Sequence, residues 1–302
     1  MKKQRIAIFL CLFVLFAGIP TANSQTAQSL ITTGAKVEKL AEGFTFTEGP
    51  AVDNQGNVYF TDQPNDRIHI WSVEGKLTTF LANTGLANGL YFDKQGRLIS
   101  CSDLDNEIWS FDKDGTHTVI VTDFDEKKLN GPNDLWVHPN DGIYFTDPLY
   151  KRHYWSRDPE MQQKGQYLYY VTPDHKSVKL IDTDFEQPNG IIGTPDGKLL
   201  YVADIKANKT YVYNIQPDGA LTGKKLFTSM GSDGMTMDEK GNIYLTGRGV
   251  TIFNPAGEQI EQIPVEANWT ANVCFGGKDM QTLFITASQY LYSVHMNVRG
   301  IR

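Results

Sequence analysis

Cysteine is scarce in this chain, with three in 302 residues. Cys11 lies in an apolar run near the start, which leaves Cys101 and Cys274. These two fall in non-neighbouring repeats and are expected to be packed thiols, a disulfide being the alternative. No Cys/His spacing of the zinc type occurs. Basic excess is missing as well: 28 Lys and Arg stand against 35 Asp and Glu, a net charge of −7. That balance argues against a nucleic-acid partner, whose phosphates call for a cationic surface. Apart from residues 6–18 no apolar run is long, and that one is shorter than the roughly 20 residues a spanning helix needs. No pattern of a long helix is present, and no Ser-His-Asp arrangement with a nucleophile motif, so a covalent acyl-enzyme is not expected.

The apolar run follows Lys2, Lys3 and Arg5 and precedes Ala22-Asn23-Ser24. A basic start, a short apolar stretch and a small-x-small site make a secretory signal peptide over residues 1–24. An uncleaved anchor is the alternative. The expectation is a secreted, periplasmic protein with no membrane anchor after cleavage, a linker over residues 25–34 and a single domain over 35–302. The mature chain is long enough for one large all-β domain.

The rest of the chain is repetitive. Turn glycines fall at Gly56, Gly96, Gly142, Gly197 and Gly241, with Met280 at the degenerate sixth position. Each sits between a short apolar segment and an alternating strand such as Val58-Tyr59-Phe60-Thr61-Asp62 or Ile143-Tyr144-Phe145-Thr146-Asp147. β-Branched and aromatic residues alternating between turns are strands. A third and a fourth strand follow in each repeat, and a period of about 40 to 50 residues signals a propeller. The sixth repeat stops after its third strand, residues 290–294. Lys36-Val37-Glu38-Lys39-Leu40, ahead of the first repeat, aligns with residues 76–80. The fold class is therefore all-β: a six-bladed β-propeller of four-stranded blades, the last closed by an N-terminal strand so that no sheet edge stays open.

Six residues share one place in this repeat: Glu48, Asn88, Asn133, Asn189, Asp233 and Asn272. All six end in a carboxylate or a carboxamide. Each starts the innermost strand of its blade, so all six crowd one mouth of the central channel. Asn and Asp also simply make turns ahead of strands, and for Asn88 and Asn272 alone that explanation is equally good. For the whole set it is weaker, because every position keeps a side-chain oxygen. Two carboxylates and several amides suit one divalent cation, Ca²⁺ first, which takes 6–8 oxygen ligands. Mg²⁺, Mn²⁺ and Zn²⁺ are alternatives, the absence of Cys and His counting against zinc.

The chain resembles the gluconolactonase/regucalcin-like (senescence marker protein) family of six-bladed propellers. The resemblance rests on Phe46-Thr47-Glu48-Gly49-Pro50, Asn130-Gly131-Pro132-Asn133-Asp134, Tyr144-Phe145-Thr146-Asp147-Pro148, Gln187-Pro188-Asn189-Gly190 and Ser232-Asp233-Gly234-Met235. It implies a divalent cation at the channel mouth and hydrolysis of a small-molecule sugar lactone; monomer and dimer both stay open as the assembly state. It implies Glu48, Asn189 and Asp233 as metal ligands, Asn133 as substrate contact or fourth ligand, and Asp233 as catalytic base. Alternatives are a calcium-dependent phosphotriesterase on the same site and a non-catalytic binding propeller with a structural ion. An arginine that contacts substrate in the animal lactonases falls near Gly131 here, so that contact is missing. The third repeat instead carries an insertion, residues 148–164, rich in aromatic and basic side chains. It is expected either to cover the mouth as a lid or to pack on its own aromatics. Tyr150 and His153 from it, with Asn133 and Asn88, are the candidate substrate-binding residues.

Overall fold

A computed structural model of the chain describes residues 29–301. The expected leader, residues 1–24, lies outside the described residues. Twenty-four strands and a single short 3-10 helix, Gln63–Asn65, make up the described regular structure. The strands form six four-stranded antiparallel sheets. In five of these the strands follow chain order from the inside outwards. The sixth runs Thr270–Gly276, Thr282–Ala287, Tyr290–His295 and then Glu38–Glu42. The N-terminal strand pairs antiparallel with Tyr290–His295, Glu38 opposite Ser293 and Glu42 opposite Tyr290. The ring closes as the repeat pattern predicts. Residues 29–34 continue onto the outside of the last blades, where Leu30 is buried and its N–H donates to Glu261 at 2.7 Å.

The core lies between neighbouring blades, because each sheet is apolar on both faces. Trp136, Tyr144, Leu200 and Ile243, drawn from three successive blades, share one buried cluster. The outermost strands show the reverse pattern, as in Leu77–Ala82, where four of six residues are exposed. Cys101 and Cys274 are free buried thiols. Among the described residues no helix is long and apolar enough to cross a membrane.

The recurring Thr-Asp at the end of the second strands has a structural purpose. The threonine hydroxyls of Thr61, Thr146 and Thr246 donate across to the next blade, to the carbonyls of Asn88 (3.2 Å), Asn189 (2.8 Å) and Ala271 (2.8 Å). The aspartates accept backbone N–H groups from the segment leading into the inner strand. Asp62 takes those of Thr45 and Phe46, Asp147 those of Asn130 and Gly131, and Asp204 those of Glu186 and Gln187. Carboxylates bonded in this way satisfy backbone donors that would otherwise be buried unpaired. The same bonds fix where each inner strand begins, and therefore where the six register-matched side chains stand.

Candidate active site

The inner strands are Thr47–Val52, Ala87–Phe92, Leu135–Val137, Pro188–Gly193, Met235–Met237 and Thr270–Gly276. Glu48, Asn88, Asn189 and Asn272 lie within theirs, while Asn133 and Asp233 stand two residues ahead of theirs. Four of the six are followed by glycine: Gly49, Gly89, Gly190 and Gly234. Each of these is where the next blade presses in. A Cβ on Gly89 would stand 2.6 Å from the Asn133 carbonyl oxygen, and one on Gly190 would stand 2.7 Å from that of Asp233. Side chains at these positions would push the blades apart and spread the ring of oxygens.

The six side chains separate into three groups. Glu48, Asn189 and Asp233 converge. The Asn189 amide nitrogen donates to Asp233 Oδ1 at 2.8 Å and to the Tyr150 hydroxyl, also at 2.8 Å. Asn189 Oδ1 is buried and has no hydrogen-bond partner among the described residues. Glu48 is 4 % exposed, and among the described residues only the Gly49 N–H, at 3.0 Å, is bonded to its carboxylate. Asn88 and Asn133 are buried with their amides untied by any hydrogen bond among the described residues. Asn272 is committed elsewhere: its Oδ1 accepts the Val273 N–H at 2.8 Å and its Nδ2 faces Asp134 Oδ2 at 3.4 Å.

Electrostatics set the first group apart. Burial, and then the charge of Asp233, push the Glu48 carboxyl well above the usual carboxylate range. Asp233 is also raised by burial, against the pull of its hydrogen bonds from Trp269 and Asn189. The Trp269 indole N–H reaches Asp233 Oδ2 at 2.5 Å. Two carboxylates crowded together, Glu48 buried and Asp233 half-buried, with an unpaired amide oxygen beside them, are poorly satisfied alone. Three oxygen donors of this kind match the ligand chemistry of a hard divalent cation. Among the described residues no group of three or more His, Cys, Asp or Glu gathers at metal-binding range. The candidate donor set is therefore mixed, two carboxylates with amide oxygens.

Asp134 escapes the sequence pattern. It occupies the place where four other repeats have glycine, and it sets a third carboxylate in the channel at 6 % exposure. Burial pushes its carboxyl up to about 7. With Asn272 it lies at the inner end of a cavity of about 450 Å³ walled by Leu90, Leu135, Ile191 and Val273. Trp269 was also missed: it lies three residues ahead of Asn272, a position with no shared chemistry among the repeats.

The insertion of residues 148–164 crosses the mouth as a strap without regular structure. It is tied down on blades 1 and 2. The Tyr154 hydroxyl donates to Gln63 Oε1 at 3.0 Å, and the Trp155 indole N–H to Asp103 Oδ2 at 2.9 Å. Arg157 reaches Asp103 Oδ1 at 3.3 Å and the Asn130 carbonyl at 2.7 Å, its guanidinium stacked 3.5 Å from the Trp155 ring. Arg157 also stands in the direction a side chain at Gly131 would take. Tyr150 is thereby brought against Asn189, whereas His153 is exposed and packs edge-on against Tyr154. Arg248 is exposed in the tight turn of blade 5.

Comparison with known proteins agrees with this architecture. Residues 46–289 match the family model described as SMP-30/Gluconolactonase/LRE-like region. The gluconolactonase of Zymomonas mobilis is 27 % identical over an alignment that covers 93 % of this chain and 86 % of the relative. The solved structure of XC5397 from Xanthomonas campestris, described as a gluconolactonase, superposes with a TM-score of 0.81 at 29 % identity, covering 88 % of this chain and 91 % of that one. The regucalcin of Agrobacterium tumefaciens, described as calcium-binding, shares the fold at a TM-score of 0.74 and 21 % identity, covering 87 % and 94 %.

Proposed function

The chain belongs to the SMP-30/gluconolactonase/LRE-like family, and on that premise we propose that it is a divalent-metal-dependent lactonase that opens a sugar lactone by attack of water. The observation that carries the proposal is the convergence of the buried Glu48 and Asn189 with the half-buried Asp233, Asn189 Oδ1 having no hydrogen bond among the described residues. These three would hold the cation, with Asn133 turned towards both it and the substrate. Ca²⁺ fits the all-oxygen donor set best. When bound, the ion supplies Lewis-acid polarisation of the lactone carbonyl.

The remaining work falls to the chain itself. Asp233 is the base. Its two oxygens are oriented by Asn189 and Trp269, and both hydrogen bonds favour its ionised form. It takes a proton from the attacking water as the new C–O bond forms at the carbonyl carbon. It then returns the proton to the ring oxygen as the ring C–O bond breaks. The product is the open-chain hydroxy acid. The free amides of Asn133 and Asn88 offer both donors and acceptors to ring hydroxyls. Tyr150 holds Asn189 in place and walls the substrate side of the mouth.

The test is hydrolysis of δ-gluconolactone and a panel of related lactones, followed by proton release. It is run on metal-loaded, chelator-stripped and Ca²⁺-restored enzyme, and on Asp233→Ala. Activity should vanish on stripping, return with the ion, and be lost in the variant. A metal-loaded protein inactive across the panel overturns the proposal, and leaves a binding propeller or a phosphotriesterase to be assayed on the same protein.

A further inference from the structure

The Arg152 guanidinium forms no hydrogen bond among the described residues. It lies on the strap, its side chain 25 % exposed, and its Nε is buried without a hydrogen bond. Its ion pair with Asp103 Oδ2 is long, 4.0 Å from Nε, and beyond hydrogen-bonding reach. Asp103 is moreover already engaged by Arg157, Trp155 and Gln63. Among the described residues no hydrogen bond to the Arg152 guanidinium is formed. Its position is nevertheless fixed: it lies 4.9 Å from the centre of the Tyr150 ring, and the Tyr150 hydroxyl is bonded to Asn189. Arg152 is therefore one aromatic ring away from the converging group, and its charge is felt by both Glu48 and Asp233.

A planar fork of donors that lies over an aromatic ring, with Nε buried and unbonded, is suited to a bidentate oxygen pair. Arg157, five residues on, shows the structural alternative: it is bonded to Asp103 and to the Asn130 carbonyl, and it serves to anchor the strap. Arg152 has no such duty. We propose that Arg152 forms an anion subsite at the mouth, and that the preferred lactones carry a pendant carboxylate or phosphate that this guanidinium grips. This rests on the lactonase reading above and narrows its substrate class.

The experiment compares three lactones on metal-loaded enzyme: neutral δ-gluconolactone, a glucarolactone with a free carboxylate, and 6-phosphogluconolactone. Wild type, Arg152→Met, Arg152→Lys and Arg157→Met are assayed, with thermal midpoints as a folding control. In Arg152→Met, KM for an anionic lactone should rise about ten- to a hundredfold, the scale of losing a charge-assisted bond, with a smaller rise for the neutral one. Arg152→Lys should restore part of the loss, and Arg157→Met should affect all three lactones alike. Which anionic lactone suffers more identifies the carboxylate or the phosphate. Calorimetric titration with glucarate and gluconate gives a readout independent of turnover. Glucarate binding that is tighter than gluconate binding and is lost in Arg152→Met supports the subsite even if no lactone is turned over. Equal KM changes for neutral and anionic lactones in Arg152→Met, or no change, overturn it while leaving the lactonase reading intact.

Discussion

Replacing Asp134 by Asn should change how the metal-free protein responds to pH. Asp134 is 6 % exposed, and burial raises its carboxyl to about 7 from an ordinary 3.8. A carboxyl whose pKa is higher in the folded than in the unfolded state binds more protons when folded. Stability therefore falls as pH rises between the two values, here from about 4 to about 7, and is flat above. About three pH units at ~1.36 kcal/mol each make this share about 4 kcal/mol. Asp134→Asn removes it, so the variant's stability should decline less steeply from pH 4 to 7. The replacement also sets one amide nitrogen against that of Asn272, at a cost of about 1 kcal/mol that does not vary with pH. The diagnostic quantity is thus the slope and not the level. Urea denaturation in the presence of chelator, at half-unit steps from pH 4 to 8, measures it. Parallel curves for wild type and variant would refute the reasoning, and would mean that Asp134 is hydrated or paired well enough to ionise normally.

Other expectations follow from the same geometry. Trp269→Phe removes the N–H that favours the Asp233 anion. The acid limb of kcat/KM should move to higher pH, with the loss of rate larger at pH 5–6 than at pH 8. Glu48→Gln should weaken cation binding roughly tenfold or more in calorimetry, because site affinity follows ligand charge; unchanged affinity would remove Glu48 from the ligand set. Gly190→Ala places a methyl group 2.7 Å from the Asp233 carbonyl oxygen. Denaturation should report a loss of about 1–3 kcal/mol, the usual scale of overpacking. Asp103→Ala removes the anchor shared by Trp155 and Arg157. Limited proteolysis should then cut the exposed stretch 158–161 faster, with the blades intact.

The blades, their order and the closing strand were legible because they repeat. A motif such as Tyr-Phe-Thr-Asp recurs in register, and each copy strengthens the others. The six oxygen-bearing positions were legible for the same reason. Their division was not, because it depends on what sits one residue on and across the channel. Asn272 is drawn away by Asp134, and Asp134 is visible in sequence only as a break in the run of glycines. The tethering of the strap was hidden for a different cause. Gln63, Asp103 and Asn130 come from three different blades, and no local spacing connects them to Tyr154, Trp155 and Arg157. His153 and Tyr150 are three residues apart on that strap, yet one is exposed and the other is bonded to Asn189. In an irregular segment, residue type alone does not indicate direction.

The pairing of Glu38 with Ser293 also governs when the protein can begin to work. Blades 1 to 5 each complete themselves from neighbouring sequence, but the last needs both ends of the chain. A polypeptide emerging from the ribosome holds Glu48 long before it holds Asp233, and it holds both before the ring is shut. Glu48 and Asp233, the proposed cation ligands, are set at their mutual distance only by that final docking, a long-range contact with a large loop-closure entropy. A chain shortened at either end through the sixth blade should leave the apolar faces of the neighbouring blades uncovered and the ring open, with no working mouth.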